Sequence, residues 1–179
     1  MYTFKLFNKF YIMITDNKVV TLKYNLHENN AEGELIERVT QDHPFVFLFG
    51  AGGLLPEFES NLRGKLVGST FSFGIDAEHA YGLADDKAIE YVPKEIFMID
   101  GVLAEDLLVI DQVINLRDQN GHLVRARVVE VGDAEVLLDF NHPLAGVNMY
   151  FTGEILDIRD ATAEEISHGH VHGPGGHHH

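Results

Sequence analysis

The sequence contains no cysteine. That excludes disulfides and every site built on thiolate chemistry, from zinc ribbons to cysteine nucleophiles. Positive charge is scarce: 13 Lys and Arg stand against 28 Asp and Glu, for a formal net charge of −15. Nucleic-acid phosphates and anionic lipid surfaces are repelled by such a chain, so neither nucleic acid nor membrane is an expected partner. Cations and basic peptides are attracted. No apolar run approaches the ~18 residues of a spanning helix. The opening MYTFKLFNKFYIMITDNK sets Lys5 and Lys9 among its apolar residues and has no small-residue cleavage site, so it makes a poor secretory leader. The expected location is cytoplasmic.

Catalytic signatures are missing as well. There is no G-x-S-x-G, no Walker loop and no H-E-x-x-H. Gly50-Ala51-Gly52-Gly53 stands between a strand and a helix, where phosphate loops stand. Its glycines lack the spacing, and no Lys-Ser/Thr follows. The isolated His27, His43, His79, His122 and His142 read as surface or structural residues.

What is present is an ordinary apolar share, 45% of 179 residues, sufficient for one domain carrying a smaller one. KVVTLKYNL (18–26) alternates Val20, Leu22, Tyr24 and Leu26 against Thr21, Lys23 and Asn25, the pattern of a half-buried strand. LIERV (35–39) predicts a short second strand. Phe45, Phe47 and Phe49 share one face of a third. The period then changes: Leu54, Phe58 and Leu62 predict a short amphipathic helix over 54–64. Pro56 suits its first turn, Glu57 and Glu59 its N-terminal dipole, Arg63 its C-terminal end, and Gly64 its stop. Residues 66–75 return to period two through Phe71, Phe73 and Ile75, and 76–86 read as a loop.

From there to about residue 143 the chain reads as a separate unit. VPKEIF (92–97) predicts a helical turn, and two apolar runs flank Asn120-Gly121, a strong hairpin dipeptide. With a second turn at Gly132-Asp133 they predict a small β-meander. A long strand returns at about 147–159, and TAEEI predicts a final helical stub with Thr162 as its cap. The fold class expected is α+β: a curved antiparallel sheet wrapped around one short helix, with a small all-β insert before the last strand.

The clustered aromatics admit two readings, core filler or the lining of an apolar pocket. On their spacing alone, core is the commoner outcome.

The run PFVFLFGAGGLLPEFESNLRGKLVGSTFSFGIDAEHAYG closely resembles the core of an FKBP-type peptidyl-prolyl isomerase. The shared features are P-F-x-F and a glycine, an apolar pair opening the helix, an aromatic one turn on, a glycine before the next strand, and A-Y-G. The meander, NHPLAG and the ending ATAEEISHGHVHG are similar to bacterial members that carry an insert in the flap and a histidine-rich tail. The resemblance covers the chain from about residue 18 onward. It implies a division into an extension (1–12), a first FKBP-like part (13–82), an insert-in-flap domain (83–143), the last FKBP-like strand (144–160) and a flexible tail (161–179).

The resemblance further implies a peptidyl-prolyl cis-trans isomerase that assists folding and needs no cofactor. Tyr24, Glu37, Tyr81 and Phe151 would be its catalytic set, with Tyr81 donating its hydroxyl to the substrate carbonyl. Ile36, Phe45, Phe47, Leu54, Leu55 and Phe58 would contact the substrate proline. Ile36-Glu37 departs from the Phe-Asp of many members, and Phe58 stands where some have tryptophan. Expected partners are unfolded or partly folded chains with Xaa-Pro bonds, gripped through exposed apolar residues of the insert. His168, His170, His172, His177, His178 and His179 would bind a divalent metal such as Ni2+, Cu2+ or Zn2+. Two other functions compete with this one: a non-catalytic chaperone or peptide-binding module, and a nickel or zinc carrier with the folded part as platform.

Overall fold

The computed structural model describes residues 12–99, 101–118 and 120–171. The chain divides into two compact units, Met1–Ala80 with Val147–His179, and Tyr81–Gly146. The expected insert span of 83–143 lies inside the second. The elements run β1 (Lys18–Glu28), β2 (Leu35–Val39), β3 (Phe45–Leu48), α1 (Pro56–Leu62) and β4 (Thr70–Ile75). Then come β5 (Ile89–Pro93), β6 (Met98–Ile99), β7 (Val102–Leu103), β8 (Val113–Arg117), β9 (Leu123–Val131) and β10 (Glu135–Asp139) in the second unit. β11 (Met149–Asp160) and α2 (Ala163–His168) close the first.

In the first unit the sheet order is β2-β1-β11-β4, with β3 also paired to β1. β1 is long enough to serve two partners on one edge: Val19–Leu22 face β3, and Tyr24–His27 face β2. All these pairings are antiparallel. The alternation of β1 is realised as burial of Val20, Leu22 and Leu26.

α1 lies against the sheet through Phe58 and Leu62, both buried. It is shorter than the 54–64 predicted, because Leu55 keeps an extended backbone (φ −57°, ψ 128°) ahead of Pro56. A residue preceding proline is driven out of the helical region by the proline ring. Arg63 does not cap the helix C-terminus with its charge. Its guanidinium bonds Asp16 at 2.7 Å and lies 4.8 Å from the centre of the Phe49 ring. It thereby ties the helix end to the segment preceding β1.

One glycine in the central strand is required by close approach. A Cβ on Gly153 would stand 2.2 Å from the Lys23 carbonyl oxygen and 2.4 Å from Cζ of Phe71. Gly153 faces Tyr24 on one side and Phe71 on the other. The missing side chain is what lets the Phe71 ring cross the strand there.

At the chain's far end Thr162 and Glu165 form a reciprocal capping box on α2. Glu165 is 2% exposed and takes two hydrogen bonds from Arg159 at 2.7 and 2.8 Å. Gly169 ends the helix in the left-handed conformation.

The second unit holds a four-stranded antiparallel sheet, β5-β10-β9-β8, and the small β6-β7 pair. Phe97, Ile114, Ala126, Val128, Val136 and Leu138 are its core. The Asn120-Gly121 turn forms as the dipeptide predicts, with Gly121 at φ +84° and the Asp118 carboxylate accepting the N–H groups of Asn120 and His122. The sheet has one strand more than the meander the sequence suggests. β5 is short, carries proline at its end and is defined by pairing with β10, which local pattern does not reveal.

Candidate active site

Six aromatic rings from five elements converge on one face of the first unit. Phe58 of α1 is the hub: its ring centre lies 5.0 Å from Phe151, 5.7 Å from Phe73, 6.2 Å from Phe47 and 6.4 Å from Tyr24. These contacts are edge-to-face, the arrangement favoured by the ring quadrupole. Tyr24 also approaches Phe151 at 5.7 Å and Phe45 at 6.1 Å, and Phe45 stacks on Phe47 at 5.1 Å. The cluster is graded. Phe47, Phe58 and Phe151 form a buried floor, while Tyr24, Phe45 and Phe73 are only half-buried.

Local sequence accounts for this convergence. Period two carries Tyr24, Phe45 and Phe47 to the helix-facing side of their strands, and Phe58 sits one turn into α1 on its buried face. Phe73 belongs with them, although spacing alone marked it as plain core. Register with β11 sets it opposite Phe151, 5.6 Å away. Its alternation with Phe71 was visible in sequence; its strand partner was not.

At the rim the Tyr24 hydroxyl donates to a Glu37 carboxylate oxygen at 2.7 Å. Glu37 lies on β2, the edge strand. Neighbouring Ile36 is the extra residue of a β-bulge, since Leu26 pairs with Glu37 and His27 with Leu35. Bulges re-aim the side chains beside them. Leu54 and Leu55 stand half-buried at the start of α1.

A shallow depression of about 460 Å³ adjoins the cluster at Tyr24, at the junction of β1 with residues 38–41 and with Thr152 and Gly153. Lys23, Asn25, Arg38 and Gln41 line its polar side, with Tyr24 and Val39 beside them.

Tyr81 is in the second unit, 43% exposed, with its ring flat on that of His142. Of the tail histidines, His168 and His170 are described, with rings 5.7 Å apart. His172, His177, His178 and His179 lie outside the described residues. Among the described residues no three metal-ligating side chains converge.

A family model for FKBP-type peptidyl-prolyl cis-trans isomerases matches residues 12–99. The FKBP-type peptidyl-prolyl cis-trans isomerase SlyD of Aeromonas hydrophila is 40% identical over 158 residues, covering 88% of this chain and 70% of the relative. The chain belongs to this family of isomerases. SlyD of Escherichia coli K12 is 37% identical over 160 residues (89% of this chain, 78% of the relative), and that of Pasteurella multocida 34% over 170 (93% and 81%).

As an FKBP-type isomerase the protein acts on polypeptides containing proline and speeds rotation about the Xaa-Pro bond. Amide resonance sets that barrier at about 18–20 kcal/mol and makes the uncatalysed step slow. In the twisted transition state the resonance is lost, so the carbonyl is less polar and the nitrogen pyramidal. A dry aromatic surface favours the twisted form over the planar one, because it excludes the water that stabilises the polar planar amide. No nucleophile and no metal is called for, in keeping with a sequence that has no nucleophile motif. The FKBP-like domain needs no cofactor for this reaction.

Proposed function

We propose that the substrate proline ring is received on the Phe58-centred aromatic surface. Phe47, Phe58 and Phe151 would be its floor, with Tyr24, Phe45, Leu54 and Leu55 as walls. In this reading Glu37 holds the Tyr24 ring upright through its hydrogen bond, Ile36 adds apolar rim, and Tyr81 donates its hydroxyl to the substrate carbonyl. The observation that carries the reading is the grading of the cluster: rings in mutual contact that run from fully buried to half-open make a cleft, whereas filler closes completely. The test is turnover of a short Xaa-Pro peptide by wild type, Tyr81→Phe and Phe151→Leu. Turnover lost in both variants, with folding retained, supports the site. Wild-type rates in both would remove this reading and leave Phe151 as core.

The second unit is proposed as a chaperone surface. What supports this is apolar exposure on that unit: Val102 is 70% exposed, Leu123 68%, Tyr91 60% and Ile110 59%. The unit would retain an unfolded chain and raise the effective concentration of its prolines at the isomerase site. Val102→Ser with Leu123→Ser should weaken suppression of aggregation while leaving small-peptide turnover unchanged. Equal suppression by the variant would remove this reading.

The tail is proposed to carry Ni2+ or Zn2+ as cargo. Alternating imidazoles at His168, His170 and His172, followed by His177, His178 and His179, supply borderline nitrogen donors. Truncation after residue 167 should abolish Ni2+ binding in a calorimetric titration and leave isomerisation intact; undiminished binding would place the metal elsewhere. The protein is further proposed to work in the cytoplasm, which fits its lack of cysteine.

A further inference from the structure

We propose that His142 is the positioning residue for Tyr81: its imidazole forms a flat wall that fixes the tyrosine ring and so aims the phenol hydroxyl. The inference rests on the reading in which that hydroxyl contacts the substrate.

The two rings lie 3.9 Å apart with an interplanar angle of 7°. This is full face contact, unlike the tilted and edge-on contacts within the Phe58 cluster. A tyrosine ring is oriented by two side-chain torsions. At 43% exposure, much of the Tyr81 ring is open to solvent, so the imidazole face is a principal restraint on it. An unrestrained phenol would sweep its hydroxyl through several rotamers, and alignment lost in the substrate complex costs turnover directly.

His142 can act as a wall because it is itself fixed. Its Nδ1 accepts the backbone N–H of Leu144 at 3.1 Å, and its carbonyl accepts the N–H of Ala145 at 2.8 Å. An accepting Nδ1 in a neutral ring requires the hydrogen on Nε2, so one tautomer satisfies the turn. Next to it, Asn141 accepts the Asp85 N–H at 2.9 Å and donates to the Asp85 carbonyl at 3.1 Å. The Gly146 N–H donates to the Gly82 carbonyl at 2.8 Å. The segment after Tyr81 and the segment around His142 are thus bound together on both sides of the stack. Tyr81 and His142, sixty-one positions apart by their numbers (142 − 81), behave as one unit.

Two substitutions separate the wall from the turn. His142→Asn keeps a side-chain acceptor for Leu144 and removes the ring. His142→Phe keeps a flat ring and removes the acceptor. If His142 positions Tyr81, His142→Asn lowers kcat/KM for an Xaa-Pro peptide about 3- to 10-fold, mostly through kcat, while His142→Phe retains most of the activity. A role confined to the turn gives the reverse order, and that order overturns the proposal.

The Tyr81→Phe background decides whether the effect passes through the hydroxyl. There His142→Asn should cause no further loss, since no hydroxyl remains to be aimed. A full additional loss overturns the proposal. If Tyr81→Phe alone keeps wild-type turnover, the premise about Tyr81 has failed and the proposal falls with it. If Tyr81→Phe is impaired and His142→Asn is not, the proposal alone has failed. A readout independent of turnover is the Tyr81 ring-proton shift in labelled full-length protein. It should move downfield, out of the imidazole ring current, in His142→Asn and change little in His142→Phe; an unmoved shift in His142→Asn would also overturn the proposal.

Discussion

The hydroxyl of Tyr24 donates to the carboxylate of Glu37 across the β1–β2 pairing, 2.7 Å away. One partner belongs to the ring cluster and the other to an exposed edge strand. Hydrogen bonds to charged groups contribute roughly 1.5–3 kcal/mol in favourable settings, but exposure and solvent screening reduce this one to about 1 kcal/mol or less. Glu37→Gln, which can still accept the bond, should therefore change stability little. Glu37→Ala removes this acceptor from the Tyr24 hydroxyl and should lower kcat/KM more than it lowers the melting temperature. Peptide isomerisation measured beside thermal unfolding checks this; equal, negligible effects on both would leave the pair without a role in catalysis.

Phe58 touches four other rings and is 4% exposed. Truncation to alanine removes a buried ring and leaves a cavity, at a cost of about 3–5 kcal/mol. That is a large part of a typical domain's stability. Phe58→Ala should lose activity by unfolding, whereas Phe58→Leu should stay folded. Urea unfolding of both variants gives the comparison, with Phe58→Ala showing the lower midpoint by far.

Gly153→Ala places a methyl group where the Lys23 carbonyl and the Phe71 ring already stand. The backbone oxygen cannot step aside as a flexible side chain can, so strand β11 must shift. Overpacking of this kind costs about 1–3 kcal/mol or more. The variant should unfold at lower urea, and Phe71→Leu in the same chain should restore part of the loss; no restoration would put the strain on the Lys23 side alone.

Glu165 is buried and held by Arg159 and by the Thr162 N–H. Arg159 is partly exposed, so removing it leaves a carboxylate that water reaches poorly. Loss of one partner from a fully buried pair costs about 3–5 kcal/mol, and the exposure of Arg159 brings the expected cost of Arg159→Ala to about 1–3 kcal/mol. Amide exchange over α2 should rise in the variant ahead of the sheet.

Asp139 has a predictable acid response. Burial alone would raise its pKa, but the backbone and side-chain N–H of Asn141 and the Arg127 guanidinium outweigh burial and hold it below the usual carboxylate value. With the folded value depressed, the stabilisation is complete above the unfolded pKa of about 3.9 and is lost as pH falls through the folded value. Melts of wild type between pH 6 and pH 2 should steepen below about pH 4, and Asp139→Asn should flatten that limb. An unchanged limb would assign acid unfolding to other carboxylates.

Much of this was legible in sequence because it is local. The alternation of β1, the change of period at Leu54, the Asn120-Gly121 turn and the Thr162 cap each follow from neighbouring residues, and each is present in the structure. Family membership was legible for a similar reason: the motif from Phe45 to Gly82 combines spacing and residue type over one continuous stretch.

The strand and helix periods put Tyr24, Phe47 and Phe58 on buried faces before any fold is known. They do not say which strands become neighbours. Phe73 joined the site through the β4–β11 register, β5 became a strand through β10, Gly153 was demanded by Phe71, and His142 met Tyr81 across the whole span of β5 to β10. Each is a contact between residues distant in sequence, formed only when sheet pairing and core packing together offset the chain entropy lost in bringing them together. The sequence alone determined the faces; the tertiary structure decided their partners, because pairing energy depends on the whole sheet and not on any one strand.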